Sequence, residues 1–263
     1  MSAHFKDGFT IIETMLVLAV TGVLVSTLLF GIGSSIAVQR YGDSVTSFRS
    51  LLQDQYARVS SVSNGRGAGW SCNASATPVQ GGNTAPGQTD CVLLGRYISV
   101  VDGAISMATV VGYQTSSSAA ANDMQSVKDN YALGISDSSV ETKTLEWGAR
   151  IAWPKTGTGA KNPTTPRSIA FFILRSPESG TTYTFTSNDV TPISAVSSLT
   201  LKNMLVQTTA SFPGQGARTI CIEPDAPVPE KFGVYVAPVA SGSNSIETRS
   251  FEVTTAEGGD TKC

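Results

Sequence analysis

Gly8-Phe9-Thr10-Ile11-Ile12-Glu13 opens a run that continues, apolar and uncharged, over residues 14–38. Met15, Leu16, Val17, Leu18, Val20, Val23, Leu24, Val25, Leu28, Leu29, Phe30 and Ile32 belong to it. As a helix its roughly 25 residues reach about 37 Å, enough to cross the hydrocarbon of a bilayer with some tilt. A buried core helix is also apolar, but uncharged runs beyond about 18 residues point to a membrane. Glu13 is the exception at the edge of the run. A carboxylate costs on the order of 2–3 kcal/mol at the centre of an inserted helix. Glu13 therefore either reaches the headgroups or awaits a partner cation.

Beyond residue 38 the pattern changes but the helix signal does not stop. Tyr41, Val45, Phe48, Leu52, Tyr56, Val59 and Val62 recur at steps of three and four. They form one apolar stripe, with Gln39, Asp43, Arg49, Asp54 and Arg58 largely elsewhere. Asn64-Gly65 is a stop signal. A single stripe needs cover, and a folded head packed on it is the economical expectation; a coiled coil is the alternative. Arg40, Arg49 and Arg58 are nine apart, which puts successive ones on opposite sides of a helix. They do not make a nucleic-acid face.

The rest of the 263 residues is long enough for a real core. Net charge is −2 and only 14% of residues are charged, so a general nucleic-acid binder is disfavoured. Residues 65–90 are rich in Gly, Ser, Asn, Thr and Pro and read as an irregular loop. Residues 91–101 and 104–113 are β-prone and flank Asp102-Gly103, a hairpin signal. Residues 114–130 read as a linker or short surface helix. Further strands are expected at 140–147, 149–153, 168–174, 181–186, 217–222, 232–236 and 245–253, with a short helix at 193–206. Residues 155–167 hold two prolines and two glycines and read as loop. Trp70, Trp147 and Trp153 are either exposed binding aromatics or buried in the head or against the long helix, and burial is the preferred expectation.

All four cysteines, Cys72, Cys91, Cys221 and Cys263, follow the apolar run. Three pairings are open, and the sequence-local pairs Cys72–Cys91 and Cys221–Cys263 are preferred over four free thiols in an oxidising compartment. The lone histidine, His4, precedes the run. Ser-His-Asp, Cys-His and histidine-metal chemistry therefore have no residues to use downstream. Lys155-Thr156-Gly157 lacks the Ser-x-x-Lys that would give it meaning, and no phosphate loop or EF-hand loop occurs. No cofactor, metal site or enzymatic activity is expected.

Gly8-Phe9-Thr10-Ile11-Ile12-Glu13 and its apolar run resemble the processing site of type IV pilins and the pseudopilins of type II secretion and competence systems. The likeness covers about the first sixty residues and beyond them is architectural. It implies cleavage between Gly8 and Phe9 by a prepilin peptidase, methylation of Phe9, and a charge pair between Glu13 and the Phe9 amine of a neighbouring subunit. Asp7 stands where the family usually has Lys or Arg. Gly22 matches a helix-weakening position, and Phe30 stands where many pilins carry Pro. Near the C-terminus, where some pseudopilins bind calcium, Asp225, Glu257 and Asp260 show no ligand spacing.

The expected fold class is α+β: a long N-terminal helix packed on a largely antiparallel β head. The expected divisions are a leader over 1–8, a transmembrane half over 9–38, an amphipathic half over 39–64 and the head over 65–263. The implied function is a minor pilin or pseudopilin of a type IV pilus-like filament. Its partners would be other such subunits, the peptidase and methylase, the inner-membrane assembly machinery and lipid; nucleic acid as cargo stays open. The N-terminus would be cytoplasmic before processing and the head extracytoplasmic. Two other readings compete. One is a secretory signal with His4 and Lys6 ahead of a cut after Ala37, against which stand the length of the run and Glu13 within it. The other is a single-pass anchored ectodomain that binds a ligand, or acts as an enzyme, without polymerising.

Overall fold

The computed structural model describes residues 10–61, 70–81, 91–101, 103–156, 166–205, 217–250 and 261–263. Helix α1 spans Ile11–Ser60, a rod of about 75 Å. The stripe from Tyr41 to Val59 is buried, while Gln39, Asp43 and Asp54 face solvent. Val62 and Asn64-Gly65 lie outside the described residues.

The head follows in chain order: β1 (Trp70–Cys72), β2 (Pro78–Gln80), β3 (Cys91–Val101), β4 (Ala104–Gln114), α2 (Asp123–Asn130) and β5 (Tyr131–Thr144). A 3-10 turn at Glu146–Gly148 leads to β6 (Arg150–Ala152), β7 (Lys155–Thr156), β8 (Ile169–Arg175) and β9 (Thr182–Ser187). Then come α3 (Ser198–Met204), β10 (Arg218–Glu223), β11 (Phe232–Val236), β12 (Ile246–Ser250) and β13 (Thr261–Lys262). A five-stranded sheet runs β5-β4-β3-β8-β9 and a four-stranded sheet β12-β11-β10-β6; β1-β2 and β7-β13 are small pairs. All of these pairings are antiparallel. The protein is an α+β fold with its long helix packed on a β head.

Period-two alternation explains how the five-stranded sheet is buried on both faces. Along β8, Ile169, Phe171 and Ile173 join the core around α1, while Ala170, Phe172 and Leu174 join a second core. The second core is closed by Met124 and Val127 of α2 and by Leu201 and Met204 of α3. Both helices are capped, by the side chains of Asn122 and Ser197. The four-stranded sheet supplies Ile220, Ile222, Val234, Val236 and Ile246 to the core around α1. The stripe of α1 thus fills the seam between two sheets, and the helix is a core element of the head.

Polar contacts fix the helix in that seam. The Tyr41 hydroxyl accepts the Phe232 N–H at 2.6 Å and lies 2.8 Å from the Ile222 carbonyl. Gln53 donates to the carbonyl of Ser243 at 3.2 Å. The Tyr56 hydroxyl sits 2.6 Å from that of Thr184, and burial pushes its pKa up to about 12. Arg96, only 5% exposed, donates to Gln55 of α1 and to Thr109, each at 2.8 Å. Glu141 lies between Arg96 and Arg58, 2.7 Å from the latter.

Two glycines are required where they stand. Gly103 has a φ of 81° in the tight turn where Val101 pairs with Ala104. At Gly95 a Cβ would meet the Ile173 carbonyl oxygen at 2.0 Å, beside a register shift in β3.

The structure corrects several expectations. Strand β5 begins at Tyr131, not at residue 140, because the bulge of residues 137–140 breaks its alternation opposite Ala108. Trp147 lies in the 3-10 turn, not in a strand, and is 53% exposed rather than buried. The segment 114–130 ends in a helix that has a packed face. Lys155 and Thr156 pair with Lys262 and Thr261, so the segment expected to be loop starts as a short strand; residues 157–165 lie outside the described residues. Trp153 is partly buried and stacks on the fully buried Arg167, with 4.3 Å from guanidinium to ring.

Candidate functional site

Gly8 and Phe9 lie outside the described residues. The visible site therefore begins at Thr10, whose side chain caps α1 by accepting the Glu13 N–H at 3.3 Å. Glu13 occupies the first turn, where a carboxylate is favoured by the positive end of the helix dipole. Its carboxylate has no hydrogen bond or ion pair among the described residues. It is also the only ionisable side chain between Thr10 and Gln39.

Downstream of Glu13 the helix stands clear of the head. Ile12, Leu18, Leu24 and Leu29 project on different sides and are all exposed; Leu18 is 71% exposed. None of the most apolar 18-residue window is covered. By length and composition, α1 is the one helix among the described residues that is able to cross a membrane. Five of its hydroxyls are satisfied within the helix. Thr14 donates to the Ile11 carbonyl, Thr21 to Val17, Ser26 to Gly22, Thr27 to Leu24 and Ser34 to Gly31, at 2.8–3.0 Å. Such back-bonding leaves these hydroxyls needing no water, as hydrocarbon demands. Gly22, Gly31 and Gly33 have nothing within 4 Å of a Cβ built on them. A second helix could approach the backbone closely at these positions.

The one helix thus has two halves with opposite requirements. The half from Tyr41 onward is satisfied by the head. The half before it is apolar all round and requires lipid or other apolar helices.

The cysteines are far from Glu13 and serve the head. Cys72 is bridged to Cys91 and Cys221 to Cys263, with Cα separations of 5.3 and 5.4 Å. The first bridge ties β1 to the start of β3, and the second ties the C-terminal residue to β10. They are structural staples and bring no reactive thiol into a cleft.

A separate cavity of about 250 Å³ lies where the far end of α1 meets the bulge of β5. Arg58, Arg96, Thr109, Ser136, Ser139 and Glu141 are among its lining residues. Its polar groups largely answer one another: Thr109 N–H donates to Ser139, and Glu141 bridges the two arginines. Among the described residues no cluster of three or more His, Cys, Asp or Glu side chains is placed to hold a metal. Asp225 is exposed, and Glu257 and Asp260 lie outside the described residues.

No family model, no curated protein and no solved structure matches this chain. What α1 does must be read from its own residues. Sequence reasoning missed a contact at the junction of its halves, between Arg40 and Trp147, which meet at 4.8 Å from guanidinium to ring centroid. Only the Trp147-Gly148 pair, with its turn-forming glycine, could have hinted that the tryptophan leaves the strand.

Proposed function

We propose that this chain is a membrane-stored structural subunit, a minor pilin or pseudopilin, of a type IV pilus-like filament. The observation that carries the reading is one continuous helix, covered by its own head from Tyr41 and bare before it, with the lone carboxylate of Glu13 near the bare end. A plain anchor needs the bare half but has no use for that carboxylate. In a filament the carboxylate has one: the amine of a neighbour's Phe9, freed by cleavage after Gly8 and methylated.

In this reading the role is structural, not enzymatic. The partners are copies of this chain or related subunits, the peptidase and methylase that process Gly8 and Phe9, the assembly machinery of the inner membrane, and lipid. The N-terminus faces the cytoplasm before processing. The head lies outside, where the two disulfides are at home.

Glu13 supplies the test. In the membrane-stored state its charge is a burden on insertion of up to about 2–3 kcal/mol. Between packed helices a paired charge gains more than at a surface, but only if both members are present. Glu13→Ala will therefore insert as well as the wild type or better, yet incorporate poorly into filaments. Glu13→Gln keeps the shape and loses the charge, and will share the defect. The measurement is the ratio of filament-associated to membrane-retained protein in the native host. A fall of about tenfold, equivalent to about 1.4 kcal/mol, is expected for both variants. Wild-type partitioning of both would remove Glu13 from assembly and leave an anchored ectodomain.

A further inference from the structure

Trp147 is held in an uncommon backbone conformation. Its φ of 57° and ψ of 29° are left-handed, a region that bulky residues rarely adopt and that costs on the order of 1–3 kcal/mol. Gly148 follows at a φ of 69°, so two successive residues turn the chain outward. The ring delivered by this turn is not buried; it is 53% exposed.

Its position along α1 gives the exposure a meaning. The ring lies under the guanidinium of Arg40, the first charged residue after the apolar run. Tyr41, the first stripe residue buried in the head, is next in the chain. Trp147 thus stands at the level where α1 passes from bare to covered, which is the level of the headgroups if the bare half spans a bilayer. Tryptophan prefers that layer, because an amphipathic ring there meets both hydrocarbon edge and water. Arginine beside it can reach phosphate while stacking on the ring. The surrounding charge selects the kind of lipid. Asp43 and Glu146 are exposed and Asp225 packs beside Gly148, while Lys143 and Arg150 are exposed as well, so the segments that carry Arg40 and Trp147 mix charges of both signs. Such a patch has no electrostatic preference for an anionic surface.

We propose that Trp147 and Arg40 seat the head on the headgroup layer of zwitterionic phospholipid and so fix its height and tilt on the membrane. This rests on α1 spanning the bilayer. The test uses the full chain in phosphatidylcholine vesicles, with flotation to score insertion and lipid-borne spin-label quenchers to score depth. Trp70 belongs to the β1-β2 pair beside the far end of α1, and Trp153 is tucked against Arg167, so both report little. Wild-type emission will be quenched more by a shallow label than by a deep one. W147F will float equally and lose most of the shallow quenching, and added anionic lipid will not strengthen the effect. Equal quenching of wild type and W147F in floating protein overturns the seat and leaves the span intact. So does stronger quenching by the deep label, or quenching that requires anionic lipid. A chain that fails to float overturns both.

Discussion

Phe48→Ala will destabilise the head by about 3–5 kcal/mol, the usual cost of deleting a buried aromatic ring. Phe48 is 1% exposed and sits midway along the α1 stripe. Its surroundings come from three separate elements: α1 itself, the five-stranded sheet through residues such as Phe171, and the four-stranded sheet through residues such as Val234. A site walled by separate elements collapses poorly, so the cavity term persists. The experiment uses a chain that starts at Gln39, which lacks the bare half and is expected to be soluble and folded. For a unit of this size the loss corresponds to a Tm lower by roughly 2–4 °C per kcal/mol. Ser50→Ala, at an exposed position of the same helix, will stay within about 0.5 kcal/mol. A Phe48→Ala shift no larger than that control would show that the helix is not part of the core. Aggregation of the shortened chain under oxidising expression would say the same.

Replacing Cys221 and Cys263 together by Ser will cost about 4 kcal/mol, against about 3 kcal/mol for Cys72 and Cys91, by the loop-entropy model. The difference follows from loop length, 42 residues against 19. The longer bridge also holds the last residue to β10, beside the short pairing of β13 with β7. Its loss releases the C-terminal end as well as the entropy restraint. Chemical denaturation of the two double variants measures both effects, and non-reducing peptide mapping of exported protein must show the two linked pairs. Four alkylatable thiols in exported protein would contradict the bridges and the oxidising compartment together.

Local signals explain what was legible in the sequence. The α1 stripe could be read because steps of three and four are a property of the helix alone. The β3-β4 hairpin could be read because Asp-Gly between two β-prone runs is a local turn signal. Strand β8 showed as a continuous apolar run because the sheet is covered on both faces. The parts that stayed hidden depend on distant partners. Arg96 in the middle of an apolar strand has its reason in Gln55, 41 residues away. The β7-β13 pair joins Lys155 to Lys262. The start of β5 was masked by a polar bulge, and β3 finds β8 as its neighbour across β4, α2, β5, β6 and β7. At the site, the motif and Glu13 were visible from the outset, whereas the Arg40-Trp147 contact needed the turn that carries it.

The central claim is that the bare half of α1 belongs to a processed subunit made for assembly. Mass spectrometry of the N-terminus of the protein, extracted from membranes of its native host, tests it most directly. The account predicts a chain that begins at Phe9 with a methylated amine. An intact Met1, or a chain that begins after Ala37, would contradict it.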